Sequence, residues 1–244
     1  MSRREPHEFT PVEDGAKVFW KSLADKDRPD LAQKRAETEQ AASAAAADAG
    51  LVKLRRNKTG AAPAQSSPGA SLRGLFAGGT LCDEAMVIAA ATLGEVRSNI
   101  PLRPEWVLGP GLASTGHTML DLGDDALTRG RAHPMIDQRS RLDRIAVEAA
   151  DPTCGVLLLD VVLGHGAHPD PASELAPALA AAREAAAADG RDLAVVVSLC
   201  AAQDDPQDVR RQADALHAAG ASLFRSNAAA ARHAVTLIPA GVTG

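Results

Sequence analysis

Two uninterrupted apolar runs, Val156-Leu157-Leu158-Leu159 and Leu193-Ala194-Val195-Val196-Val197, constrain this chain more than any other feature. Neither alternates polar with apolar, so a strand made from either must be covered on both faces, as parallel strands between helical layers are. Shorter runs join them. Strands are predicted over Leu72 to Ala77, Thr118 to Leu122, Gly155 to Leu163, Leu193 to Leu199 and Ala221 to Phe224. Helical patterns fall between them, over Thr80 to Leu93, Asp137 to Ala149, Pro171 to Asp189, Pro206 to Ala219 and Asn227 to Val235. This alternation predicts an α/β fold with a flavodoxin-like, doubly wound parallel sheet of about five strands.

Residues upstream differ in kind. Residues 1–56 are charged and Ala-rich with few apolar side chains, and predict an N-terminal helical or partly disordered arm. Asn57 to Ala70 carries Gly, Pro, Ser and Ala without periodicity and reads as a flexible linker. The sheet domain is expected over residues 71–238, with a tail at 239–244. The net charge of −5, two Trp, four Phe and no Tyr offer neither a basic face nor stacking platforms, so no nucleic-acid partner is expected. No apolar run of about 18 residues or N-terminal apolar leader stands out, so no membrane partner is expected and a cytoplasmic location is. Cys82, Cys154 and Cys200 are widely spaced in apolar or helix-start contexts and read as small core residues of a reduced protein.

In a doubly wound sheet, ligands gather at the C-terminal ends of the strands, and the unusual polar residues lie in those loops. Gly78-Gly79-Thr80 ends the first strand and opens a helix. The glycines permit a sharp turn and close approach of a ligand, Thr80 is placed to cap the helix, and the helix amides then face an anion such as phosphate or carboxylate. The stretch from His117 to Asp137 is a long connection holding Asp121, Asp124, Asp125, Arg129, Arg131 and His133. Its arginines offer planar forks to an anion, and its carboxylates suit acid and base work. Asp160 interrupts an apolar strand and so requires an interior hydrogen-bonding partner or an outlet to a cleft. His165 and His168 lie among glycines and a proline without metal-ligand spacing, so no metal site is expected. Asp170-Pro171 and Asp205-Pro206 read as capped helix entries, and His217 and His233 as ordinary helix residues.

Four blocks in order, LFAGGTLCDEA, DLGDDALTRGRAHPMID, GVLLLDVVLGHGAHPDPA and the DDPQ to LHAAGA region, make residues 72 to about 235 resemble the ligase domain of FdrA proteins, relatives of the succinyl-CoA synthetase alpha subunit. The resemblance implies that the turn Ala77-Gly78-Gly79-Thr80 holds phosphate, as the matching Ser-Gly-Thr turn does in the synthetases. Where those enzymes carry a phosphorylated histidine, this sequence reads Ser198-Leu199-Cys200-Ala201-Ala202-Gln203-Asp204-Asp205-Pro206; the accompanying glutamate falls near the apolar Val162. The likeness therefore implies a diffusing substrate, phosphate or carbamoyl phosphate, in place of a phosphohistidine. CoA is not expected on this chain, since residues 1–70 are too short for the family's CoA-binding domain and contain no G-x-G-x-x-G turn.

FdrA-like proteins imply an acyl or carbamoyl group-transfer component, with carbamoyl transfer between oxamate and phosphate in allantoin breakdown. A small anionic substrate and a homo- or hetero-oligomer with another family subunit follow from the same likeness. The candidate catalytic groups are Asp121, Asp124, His133 and Asp160; the candidate substrate or phosphate contacts are Gly78, Gly79, Thr80, Arg129, Arg131 and Gly164. The alternative is a non-catalytic or truncated family member serving assembly.

Overall fold

The computed structural model describes residues 70–202 and 204–239. The expected arm at 1–56, most of the linker at 57–70 and most of the tail at 239–244 lie outside the described residues. Within them the chain runs β1 (Ser71–Phe76), α1 (Gly79–Leu93), β2 (Val96–Arg97), a 3-10 turn (Pro104–Trp106), β3 (His117–Asp121), α2 (Asp125–Thr128), α3 (Arg139–Ala150), β4 (Cys154–Val162), α4 (Pro171–Ala188), β5 (Ala194–Cys200), α5 (Val209–Ala218), β6 (Ser222–Phe224) and α6 (Asn227–Thr236). The sheet is six-stranded, in the order β2-β3-β1-β4-β5-β6, and every pairing is parallel. With the edge strand β2 set aside, the remaining five follow the flavodoxin-type order.

Side chains of each central strand alternate between two cores. On one face Phe76, Met119, Leu158 and Val196 meet Ala85 and Met86 of α1 and Ala230 and Ala234 of α6. On the other, Leu75, Leu120, Leu157, Leu159 and Val197 meet Ile145 of α3, Leu175 and Leu179 of α4 and Leu216 of α5. Helices therefore cover both faces, which is why β4 and β5 can be apolar throughout. Gly94, at φ 81, closes α1 in the left-handed region and returns its N–H to the Ala90 carbonyl at 3.1 Å.

The expected sheet of about five strands carries a further two-residue edge strand at Val96–Arg97, and two readings of local detail are corrected. The Asp205 carboxylate accepts from the Ala202 N–H at 2.6 Å, and α5 begins later, capped by Asp208, which accepts from the N–H groups of Arg210 and Arg211. Pro171 does open α4, but the Asp170 carboxylate makes no cap bond; it accepts from Arg211 at 2.9 Å and Gln212 at 2.8 Å, joining α4 to α5.

One charge lies inside the sheet's N-terminal end. Arg73, 1% exposed, donates from Nε to Glu148 at 3.0 Å and from Nη2 to Asp151 at 2.7 Å and Thr153 at 2.8 Å, and from Nη1 to the Gly116 carbonyl. Glu148 also accepts from Arg144 and Ser114, each at 2.6 Å. Beside it His117 accepts the Leu72 N–H on Nδ1 at 3.1 Å, and burial with the Arg73 charge holds its pKa below the ordinary histidine value.

Glu148→Ala strands the buried Arg73 charge and is expected to cost about 3–5 kcal/mol in urea unfolding, with Arg73→Met in the same background recovering much of it. His117 is kept neutral by the fold, so stability falls as pH drops below about 6.5, where only the unfolded chain gains the proton. A His117→Asn variant, which keeps an acceptor for the Leu72 N–H, is expected to lose that acid slope when urea midpoints are compared across pH.

Candidate active site

At the C-terminal edge of the sheet, β1 and β4 are neighbours whose following helices go to opposite faces, and a crevice opens between such strands. The glycine turn stands there. Gly78 is the N-cap of α1, extended at φ −168 and ψ 156, and no side chain among the described residues caps the helix. Thr80 is not the cap: α1 begins at Gly79, which puts Thr80 inside the first turn, with its side chain exposed. Among the described residues no side chain takes up the first-turn amides of this 15-residue helix.

Asp160 comes up under this turn from β4. It is 1% exposed, accepts the Ala77 N–H on Oδ1 at 2.9 Å and pairs with Arg141 Nη2 at 2.9 Å; Arg141 Nη1 also reaches the Asp160 carbonyl at 2.5 Å. Its carboxylate is thus committed to holding β1, β4 and α3 together.

Asp121, at the end of β3, is 6% exposed and accepts the Gly123 N–H at 2.8 Å. Its Oδ2 lies 3.2 Å from where a Cβ on Gly79 would stand, so this carboxylate adjoins the helix start. Burial pushes the Asp121 carboxyl above the ordinary aspartate range; the Gly123 N–H and His133 oppose that, while Asp124 and Asp160 add to it. A Cβ on Gly123 would sit 2.3 Å from the Ala77 carbonyl oxygen and 2.6 Å from His133 Nε2, so glycine alone lets these three segments meet. His133 accepts the Met135 N–H on Nδ1 at 3.2 Å, which assigns the proton of the neutral ring to Nε2, on the side of Gly123. Gly79, Gly123, Asp121, His133 and Asp160 therefore form one cluster around the end of β1.

The remaining candidates stand apart from it or serve the backbone. Asp124 caps α2, accepting the Ala126 N–H at 2.7 Å. Arg131 lines a cleft of about 500 Å³ with Leu122, Leu127, Ser140, Arg139 and Asp143, whereas Gly78, Gly79, Thr80 and Arg129 are not on its walls. Arg139 grips Asp137 through both carboxylate oxygens and holds its pKa down to about 2. Gly164, at φ 133, exchanges two hydrogen bonds with Gln207, whose Oε1 accepts its N–H at 2.9 Å and whose Nε2 donates to its carbonyl at 2.9 Å and to that of His168 at 3.0 Å. Asn99 does the same for Asp121, meeting its N–H at 3.0 Å and its carbonyl at 2.9 Å. Sequence reasoning missed Asn99, Gln207 and Arg141, because a lone amide or arginine carries no spacing signal. Burial pushes all three thiols up, Cys154 to about 12, so none of Cys82, Cys154 and Cys200 offers a ready nucleophile.

The sequence matches the family described as CoA-ligase over residues 75–237, more than half of the chain. It is also similar to an uncharacterised protein of Escherichia coli (strain K12), YahF, at 41% identity over 156 residues, which cover 64% of this chain. The match spans 30% of that relative's length. No helix among the described residues is long and apolar enough to cross a membrane.

Gly123→Ala is expected to cost about 1–3 kcal/mol by overpacking, since the obstruction is partly backbone. Urea unfolding reads the loss, and the Asp121 and His133 resonances should move with it.

Proposed function

The chain belongs to the CoA-ligase family, and on that premise we propose that it is the ligase-type component of an assembly that transfers an acyl or carbamoyl group between a small carboxylic acid and phosphate. The family is one of succinyl-CoA synthetase-like acyl transfer. The observation that carries the reading is the glycine start of α1, whose uncapped amides open at the switch point of the sheet. Phosphate or carbamoyl phosphate would accept from those amides, helped by the positive end of the helix dipole.

Arg131, on the wall of the neighbouring cleft, would take the carboxylate of an acid such as oxamate through its guanidinium fork. Asp121 stands beside the helix start and His133 Nε2 beside Gly123, and the two would handle protons there. Catalysis would rest on positioning and charge stabilisation, with no covalent nucleophile required of this domain. CoA fits the described residues poorly: the turn after β1 reads Ala77-Gly78-Gly79-Thr80, not a dinucleotide-type fingerprint, and the cleft walls carry no aromatic ring for an adenine. A partner subunit would hold CoA where the assembly uses it.

Isothermal titration of the full chain with inorganic phosphate, carbamoyl phosphate, oxamate and CoA tests the reading. Phosphate and carbamoyl phosphate are expected to bind, and Arg131→Gln to weaken oxamate about tenfold while leaving phosphate unchanged. Silence toward every ligand, with and without a second family subunit, would overturn it and leave an assembly role.

A further inference from the structure

The cleft beside α3 carries charges that the fold does not use. Its walls hold Arg131, Asp137, Arg139 and Asp143, with Leu122 and Leu127 as apolar lining, around about 500 Å³. Arg139 is committed to Asp137, whose two carboxylate oxygens it grips. The side chains of Arg131 and Asp143 have no hydrogen-bond or ion-pair partner among the described residues, and neither has the Ser140 hydroxyl on the same walls. The field of Asp143 reaches Arg139, but no bond joins the two.

The signs of these charges are sorted along the chain. Between residues 137 and 143 the walls carry two carboxylates and one guanidinium, a surplus of one negative charge, while Arg131 adds a positive charge from the loop after α2. Ser140 and Asp143 are three residues apart on α3 and so share a helix face. A concave surface whose two free charges are opposite, and do not pair with each other, complements a ligand that carries both signs. Size points the same way. At about 30 Å³ for each water, the cleft matches on the order of fifteen waters, more room than an acid as short as oxamate fills.

We propose that this cleft takes an amino acid in its zwitterionic form, with the carboxylate on Arg131 and the ammonium group on Asp143. The inference rests on the assignment of an acid's carboxylate to Arg131 made above, and it names the class of acid: one with a cationic amine at its far end. The guanidinium fork receives the carboxylate through paired N–H donors. Of the three ammonium donors, Asp143 takes one and the Ser140 hydroxyl is placed to take a second. Carbon between the two ends lies against Leu122 and Leu127. The same arrangement disfavours a plain anion, which Arg131 attracts and Asp143 repels, so a phosphate would not compete for the acid's place.

NMR shift titration of the full chain at neutral pH and low salt tests this, with glycine, 4-aminobutyrate and 6-aminohexanoate compared against butyrate and butylamine. The amides from Leu127 to Asp143 report the cleft. At least one zwitterion is expected to bind about three- to fivefold more tightly than butyrate, the gain of one exposed ion pair, and to lose that gain as salt rises. Asp143→Asn is expected to bring the zwitterion down to the level of butyrate without weakening butyrate, and Arg131→Gln to bring it down to the level of butylamine. Butyrate binding as tightly as every zwitterion, or a zwitterion preference that survives Asp143→Asn, would overturn the inference while leaving the carboxylate contact at Arg131 standing. Cleft amides that respond to none of these ligands would overturn the inference and that contact together.

Discussion

The buried pair of Asp160 and Arg141 is the contact on which the rest of this edge depends. A charge on an interior strand would be costly alone, and here it is neutralised at 2.9 Å by an arginine that is itself 1% exposed. The same carboxylate receives the Ala77 N–H, the amide at which β1 gives way to the glycine turn. One side chain thus ties the end of β1 to β4 and to α3. Hydrophobic packing could stabilise that edge equally well, but it would not hold an amide at a set position.

A second layer of control comes from side-chain amides that imitate backbone. Asn99 completes the pairing of Asp121 as a strand neighbour would, and Gln207 does so for Gly164. Each gives two hydrogen bonds to a residue just where the ladder runs out and the loop begins. Loops secured this way keep the directional order of a strand without extending the sheet, which suits an edge that must present polar groups in fixed places. Gly123 adds the complementary device, an absent side chain that lets the ends of β1 and β3 touch.

Much of the fold was legible because its signals are local. The apolar runs of β4 and β5 appear in the structure within a residue of their expected bounds, since only burial on both faces explains such runs. Elements decided by a few contacts were not legible. Val96–Arg97 is a strand of two residues with no run to announce it, and the start of α5 moved to Val209 because Asp208 outcompeted Asp205 as a cap. In the site, Gly79, Asp121, His133 and Asp160 were marked by type and place and prove to be neighbours. Asn99 and Gln207 reach partners 22 and 43 residues away, and long-range contacts of that kind leave no trace in spacing.

The two buried aspartates divide the electrostatics of the edge between them. Asp160 carries its own countercharge, so its negative charge is spent inside the protein and contributes little to the field over the glycine turn. Asp121 has a backbone N–H and a histidine nearby but no paired cation among the described residues, and burial raises its carboxyl. Stability alone would favour an asparagine there, which could accept the same Gly123 N–H without a charge to desolvate. With Oδ2 3.2 Å from the Cβ position of Gly79, the positive start of α1 offsets part of the burial that raises the Asp121 carboxyl.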